Sequence, residues 1–371
     1  MMKRIICISL FIATLFSCQE NKVANTLNLV LQQEVKISDL MSDCTFIPLE
    51  TTNDNLILDV SILRMWNNRI YVLDSFSQSK GLYVFDIDGK YLGKIGSQGV
   101  GPGEYIMPLS LVVDEADNRL IVKDMAQNKL LFYDASTFNC VDEYNLTFSA
   151  DCFDYIGEGK LIWYAGDGWQ NPGLNNYIYM TDMKGNILNS HLERRSFPQR
   201  GMYNVTTYFH KYANNIYFHH PYANQYYVYD AKNEVIEPNF VLDCDELVIP
   251  SETYVIENSE QIVEQLAKDG YAQYVDVLEN SNKQLFYIGS KENRYIGMWD
   301  KHLNTGFYVD VNNIVDDMGL IKFNRPKTVY QNRFVNVIYR EGIENIPESS
   351  VLNTVLKNKE LDGNPIVILY D

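Results

Sequence analysis

The sequence holds no Gly-x-Ser-x-Gly elbow, no Walker loop, no His-Glu-x-x-His pair and no dinucleotide-binding glycine fingerprint. Each of those motifs sets a nucleophile, a phosphate cradle or a metal at fixed spacing, so the matching enzyme classes lack support. Histidine is scarce, at five residues, and no Cys-x-x-Cys spacing occurs. Neither a metal site nor any other cofactor is therefore expected. Positive charge is also short: 31 Lys and Arg face 48 Asp and Glu, a formal net charge of −17. Such a surface repels polyanions, which excludes nucleic acid as a partner. Anionic lipid headgroups are disfavoured for the same reason. The excess of acid serves solubility.

Long apolar runs are missing too. Ile5 to Phe16 is too short to span a bilayer, and Lys3-Arg4 precede it, as in a secretory signal. The stretch Leu15-Phe16-Ser17-Cys18 resembles the lipobox of bacterial lipoproteins. The resemblance implies that residues 1–17 are removed, that Cys18 carries lipid and that residues 18–33 form a tether. Gln19 to Thr26 is polar, as a tether would be. Several acyl chains give stable anchoring. The expected location is the cell envelope, lipid-anchored at the outer membrane on its periplasmic or surface side. Contact with the membrane would run through the anchor alone. Cys44, Cys140, Cys152 and Cys244 remain. Outside the cytoplasm they have three possible pairings, and free thiols are equally open.

What the chain does have is a repeat. Strands rich in aromatic and aliphatic residues end in Asp at Asp86, Asp134, Asp182, Asp230, Asp300 and Asp371, and the first four lie 48 residues apart. Turn residues follow, as in Asp86-Ile87-Asp88-Gly89-Lys90. There Asp bonds its own downstream backbone and Gly supplies a positive φ, so these acids are read as turn formers. Ahead of each Asp strand runs another, such as Asn68 to Asp74 or Asn118 to Asp124. Blade two shows all four strands: Leu109–Val113, Leu120–Lys123, Leu130–Tyr133 and Cys140–Leu146. Six four-stranded antiparallel meanders at this period predict an all-β, six-bladed β-propeller over residues 34–371. The sixth unit ends at Asp371 without an outer strand. The segment Glu34–Glu50, with Val35-Lys36-Ile37 and Thr45 to Leu49, is expected to close it.

Ile95-Gly96-Ser97-Gln98-Gly99-Val100-Gly101-Pro102-Gly103-Glu104-Tyr105 is similar to the inter-repeat loop of NHL-type propellers. The chain resembles the six-bladed propeller lipoproteins of Bacteroidota, most clearly over residues 56–146. That resemblance implies export and a propeller and no particular activity.

With strands lettered a to d from the axis outward, the a–b and c–d turns are short and share one face. The long connections fall on the other: Ser97–Pro108, Gly166–Asn176, Arg194–Asn204, Cys244–Gly270 and Glu341–Pro365. Two short helical insertions are predicted there. One runs from Asn258 to Gly270 through Ile262, Val263, Leu266 and Ala267; the other surrounds Val351, Leu352, Val355 and Leu356. Loops on a rigid scaffold carry binding residues. Candidate ligand contacts are Trp169, Tyr203, Tyr222 and His220, with Arg194, Arg195, Arg200 and Arg340 as paired donors for carboxylates, sulfates or uronic acids. Glu104 is a further candidate, and with Asp74 or Asp124 it would make a carboxylate pair at the channel mouth. His210, His219 and His220 share blade four, but His219 and His220 are consecutive and point to opposite faces. The expectation is a non-catalytic binding or scaffold protein for a glycan, a peptide or an envelope protein, monomeric or part of a complex. The alternative is a propeller hydrolase or lyase acting on an envelope polysaccharide.

Overall fold

The structure is a computed structural model. It describes residues 25–166, 171–193, 209–213, 215–219, 225–247, 268–272, 274–290, 293–320, 323, 325–340, 350–356 and 363–371. Six four-stranded antiparallel blades stand around one axis. Blade one comprises Ile62–Trp66, Arg69–Asp74, Gly81–Asp86 and Tyr91–Ile95. Blade two comprises Pro108–Asp114, Arg119–Asp124, Lys129–Asp134 and Cys140–Asn145. Blade three comprises Cys152–Gly157, Lys160–Tyr164, Asn176–Asp182 and Ile187–Glu193. Blade four comprises Phe209–Tyr212, Asn215–His219, Gln225–Asp230 and Val235–Asp243. Blade five comprises Tyr274–Glu279, Lys283–Gly289, Arg294–Asp300 and Thr305–Asp310. Blade six takes Thr328–Tyr330, Arg333–Ile338 and Ile366–Tyr370 from the C-terminal region. Each innermost strand adjoins those of both flanking blades, which makes an unbroken ring.

Burial explains the strand composition. The b and c strands are covered on both faces, so runs such as Leu120-Ile121-Val122 and Leu130-Leu131-Phe132-Tyr133 are apolar throughout and buried. The d strand of blade two has water on it and is mostly exposed from Cys140 to Asn145. Apolar side chains gather in six clusters, one at each blade–blade interface. Each large side chain buried in these clusters stabilises by about 1.5–3 kcal/mol relative to exposure.

The closing strand is where the sequence places it. Thr45–Pro48 pairs antiparallel with Ile366–Tyr370, with Leu369 opposite Thr45 and Ile366 opposite Pro48. Ser42 and Asp371 then exchange backbone hydrogen bonds of 3.1 and 3.0 Å at the seam. Val35–Lys36 takes no part in this. It pairs parallel with Ile314–Val315 and leads into a one-turn helix, Ile37–Leu40, whose Asp39 carboxylate accepts from Lys36 N at 3.1 Å.

The tether reading of residues 18–33 needs correction. Asn25–Leu31 is a strand wedged between the outer edges of blades four and five, parallel to both. Asn25 lies opposite Phe240 and Leu29 opposite Gly306, so the two blades become one nine-stranded sheet. Alternation decides the strand: Leu27 and Leu29 are buried between the blades while their neighbours are exposed. Blade five makes room with glycine. A Cβ on Gly306 would lie 2.4 Å from Leu29, and one on Gly297 would lie 2.8 Å from it.

Val351–Leu356 forms one of the two expected helical insertions. Leu352 is buried in the interface of blades five and six. The other expectation, Asn258 to Gly270, lies largely outside the described residues. All four remaining cysteines are free. Cys140 starts an outer strand and Cys152 an inner strand of the next blade, so nearness in sequence does not bring them together.

Candidate functional site

Five of the six repeat aspartates act as read. Asp86 Oδ1 accepts from Asp88 N at 3.0 Å and Lys90 N at 2.8 Å. Asp134, Asp182, Asp230 and Asp300 accept from turn amides in the same way. Asp371 ends the chain at the seam, with an ion pair to Arg333 at 3.4 Å. On this face every described connection is two to five residues long. On the opposite face, residues 244–273 separate two strands and residues 339–365 separate two more.

The carboxylates expected at the mouth of that face hold the loops themselves. Asp74 ends a b strand, is fully buried, and accepts from Leu58 N, Asp59 N and Ser77 N at 3.3, 3.3 and 3.0 Å. Asp124 occupies the same place in blade two. It accepts from Ile106 N at 2.7 Å, from Met107 N and Ala126 N at 3.0 Å, and from Gln127 Nε2 at 2.6 Å. Glu104 folds back on its own loop: Gly101 N donates to it at 2.8 Å and Ser97 Oγ at 3.3 Å. All three carboxylates thus accept from loop donors, Glu104 within the glycine-rich loop and Asp74 and Asp124 at the ends of their strands.

Tyr105 completes the glycine-rich loop. Its hydroxyl donates to Ile95 O at 2.9 Å and accepts from Leu82 N at 3.2 Å. Gly96 turns the loop at φ +66°, and a Cβ there would meet the Tyr105 ring at 2.6 Å. Arg340 is buried, donates to Leu49 O at 3.5 Å, and is lowered in pKa by that burial. Its guanidinium thus lies beside Leu49, just past the closing strand Thr45–Pro48. Trp169, Arg194, Arg195, Arg200, Tyr203, His220 and Tyr222 lie outside the described residues. His210 and His219 sit on different strands; His210 stacks on Tyr217 at 4.9 Å and His219 lies tilted against Tyr226 at 5.0 Å.

The inner strands carry polar groups that the repeat search passed over. The third residue of each inner strand from blades one to five is Arg64, Ser110, Asp154, Lys211 and Asp276 in turn. Ion pairs engage several of these groups, across neighbouring inner strands for Lys211 and Asp154 and within blade five for Lys301 and Glu279. Lys211 Nζ lies 2.6 Å from Asp154, Arg325 Nη2 lies 2.5 Å from Asp276, and Lys301 Nζ lies 2.6 Å from Glu279. His210 Nε2 adds a 3.5 Å approach to Glu279. Burial pushes the Glu279 carboxyl up, but His210 and Lys301 outweigh it and hold the group below its ordinary range. Lys327 donates to Val60 O at 2.7 Å, and burial pushes its pKa down to about 8. The sequence carries a faint trace of some of them, a polar residue among apolar ones, as in Ile62-Leu63-Arg64-Met65 and Cys152-Phe153-Asp154-Tyr155.

At the loop end of the axis lies a cavity of about 10 Å³, lined by Arg64, Ser110 and Asp154 together with Ile62, Phe153 and Phe209. That is room for one water-sized group. Six blades, a seam made from both ends of the chain and a polar axis define a six-bladed β-propeller. The chain belongs to the DUF5128 family, described as a 6-bladed beta-propeller, whose profile matches residues 17–337. Among solved structures it is similar to a presumed exported protein of Bacteroides fragilis, with a TM-score of 0.82 and 22% identity, covering 94% of this chain and 99% of that one. It is also similar to a DUF4221-family member from Bacteroides vulgatus, with a TM-score of 0.51 and 10% identity, covering 89% and 96% of the two chains. No curated protein sequence matches it. No helix among the described residues is long and apolar enough to cross a membrane.

Proposed function

We propose that the protein is an exported, lipid-anchored binding propeller that holds its ligand on the loop-bearing face. One observation carries the reading. Connections on the turn face stay between two and five residues, whereas the opposite face holds the long segments 96–107, 244–273 and 339–365. Evolutionary latitude in length concentrates where recognition is built on a rigid scaffold. The fold-level likeness to a presumed exported protein supports the compartment. So does the apolar run Ile5–Phe16 ahead of Cys18.

The direction of the N-terminal strand supports an orientation. Asn25–Leu31 runs parallel to the outer strands of blades four and five, and those strands run away from the turn face. An anchor at Cys18 therefore draws the turn face toward the membrane and leaves the loops outward. A non-catalytic role fits the described acids near the mouth, since Asp74, Asp124 and Glu104 are each taken up by loop donors.

The test is a glycan and peptide binding screen with the purified protein, then with Trp169→Ala and Arg200→Ala. Asn304→Ala on the turn face serves as the control. Binding that falls in the two loop variants and holds in the control supports the reading. Binding unchanged in both loop variants removes the site from this face.

A further inference from the structure

Arg64 has no ion pair among the described residues, and the nearest charge acting on it is that of Asp154. Arg64 sits on the inner strand of blade one, and its guanidinium donates to Leu63 O of its own strand at 3.0 Å. No carboxylate among the described residues lies within 4 Å of it. Asp154 lines the same cavity but is engaged by Lys211 at 2.6 Å and by Tyr155 N at 2.7 Å. Ser110, on the inner strand of blade two, is 4% exposed, and its hydroxyl has no hydrogen-bond partner among the described residues. Both side chains line the small cavity at the loop end. Ile62, Cys152 and Phe209 mark that end, because each begins its inner strand there.

Buried polar atoms such as the Ser110 hydroxyl are nearly always paired, and a half-buried guanidinium gains from a facing anion. A cation and an unused hydroxyl converging on one apolar-walled space therefore call for an anionic group between them. A carboxylate suits both. One carboxylate oxygen matches the water-sized space and can accept from the guanidinium and the hydroxyl together. The apolar walls of Ile62, Phe153 and Phe209 keep water from screening the pair.

We propose that the loop end of the axial channel is a receptor for a single carboxylate group, with Arg64 as the ion-pair partner and Ser110 as the hydroxyl donor. This rests on the loop-face reading above and names the ligand class for it: a small acid, or a larger ligand that presents one carboxylate. The group's size is set by a space that admits little more than a water molecule. Direct docking from the loop side places that carboxylate at the axis while the rest of the ligand lies against the loops.

The probe is sodium acetate, titrated against sodium chloride at constant ionic strength, with the thermal midpoint of the purified protein as readout. A saturable rise with acetate, absent with chloride, is expected. Arg64→Gln should weaken the half-saturating concentration by about tenfold or more, and Ser110→Ala by a few-fold. Equal responses to acetate and chloride, or an Arg64→Gln response equal to that of the parent, mean an adventitious ion only and overturn the proposal. Should Arg64→Gln fail to fold, Ser110→Ala decides by itself, because the hydroxyl bears no other bond among the described residues. The two readings separate cleanly. Acetate selectivity without any effect of Trp169→Ala on the binding screen sinks the loop-face reading alone, and the converse sinks only the carboxylate receptor.

Discussion

Two sets of aspartates mark the two ends of the propeller, and they do different work. At the turn end, Asp134 is partly open to water and accepts from amides two and three residues ahead. At the loop end, Asp124 is fully buried and gathers donors from residues 17 and 18 positions behind as well as from its own turn. The turn end is thus built from local chemistry, repeated in five of the six blades. The loop end is held by longer-range bonds that differ from blade to blade. Regularity in sequence follows local construction, which is why the first end is so visible and the second so uneven.

The sharpest challenge to that contrast lies at the seam. Local turns close each blade, but the ring itself closes through residues far apart in sequence, and Tyr370 is fully buried there against Phe334 and Phe323. Tyr370→Ala should cost about 3–5 kcal/mol in a urea melt, far more than any single turn aspartate. A cost near that of a turn variant would mean that the blades stand alone and that the seam is incidental.

A smaller difference tests the two aspartate sets directly. Asp124→Ala strands buried amides and should cost about 2–3 kcal/mol, while Asp134→Ala should shift the urea midpoint by clearly less. Equal costs would erase the distinction between staple and turn former.

The smallest effect is one of pH. Amides of Thr137 and Ser136 hold the Asp134 carboxyl below its ordinary range, and the amides of Leu303 and His302 do the same for Asp300. A folded pKa below the unfolded value of about 3.9 contributes stability that is full above that value and lost as pH falls through the folded one. The urea midpoint should therefore decline below about pH 4, and Asp134→Asn should flatten part of that decline.

Much of the fold was legible because propeller blades repeat their local chemistry. The spacing of Asp86, Asp134, Asp182 and Asp230 revealed the blades, and the missing outer strand of the sixth unit revealed the seam. Asn25–Leu31 escaped notice, although Leu27, Leu29 and Leu31 alternate as a strand requires. A single short strand with polar neighbours is read as linker unless its partners are known, and these lie more than 200 residues away. The candidate site was legible only in its general position. Glu104, Asp74 and Asp124 look chemically available in sequence, yet folding turns their oxygens onto backbone amides. Arg64 and Ser110 looked unremarkable, because nothing in a lone polar residue tells whether a partner will arrive.

The N-terminal strand has a consequence for the order of synthesis. Asn25–Leu31 is made near the start of the chain, but it rests against residues 240–243 and 306–308. Thr45–Pro48 waits longer, for residues 366–369. The growing chain must carry both apolar edges unpaired while the blades between them are made. Such long-range pairing slows folding and exposes sticky edges on the way. The ring can therefore be completed only after the final strand, Ile366–Tyr370, has left the ribosome. A truncated copy would keep its first strands unsatisfied, open to capture by quality-control proteases.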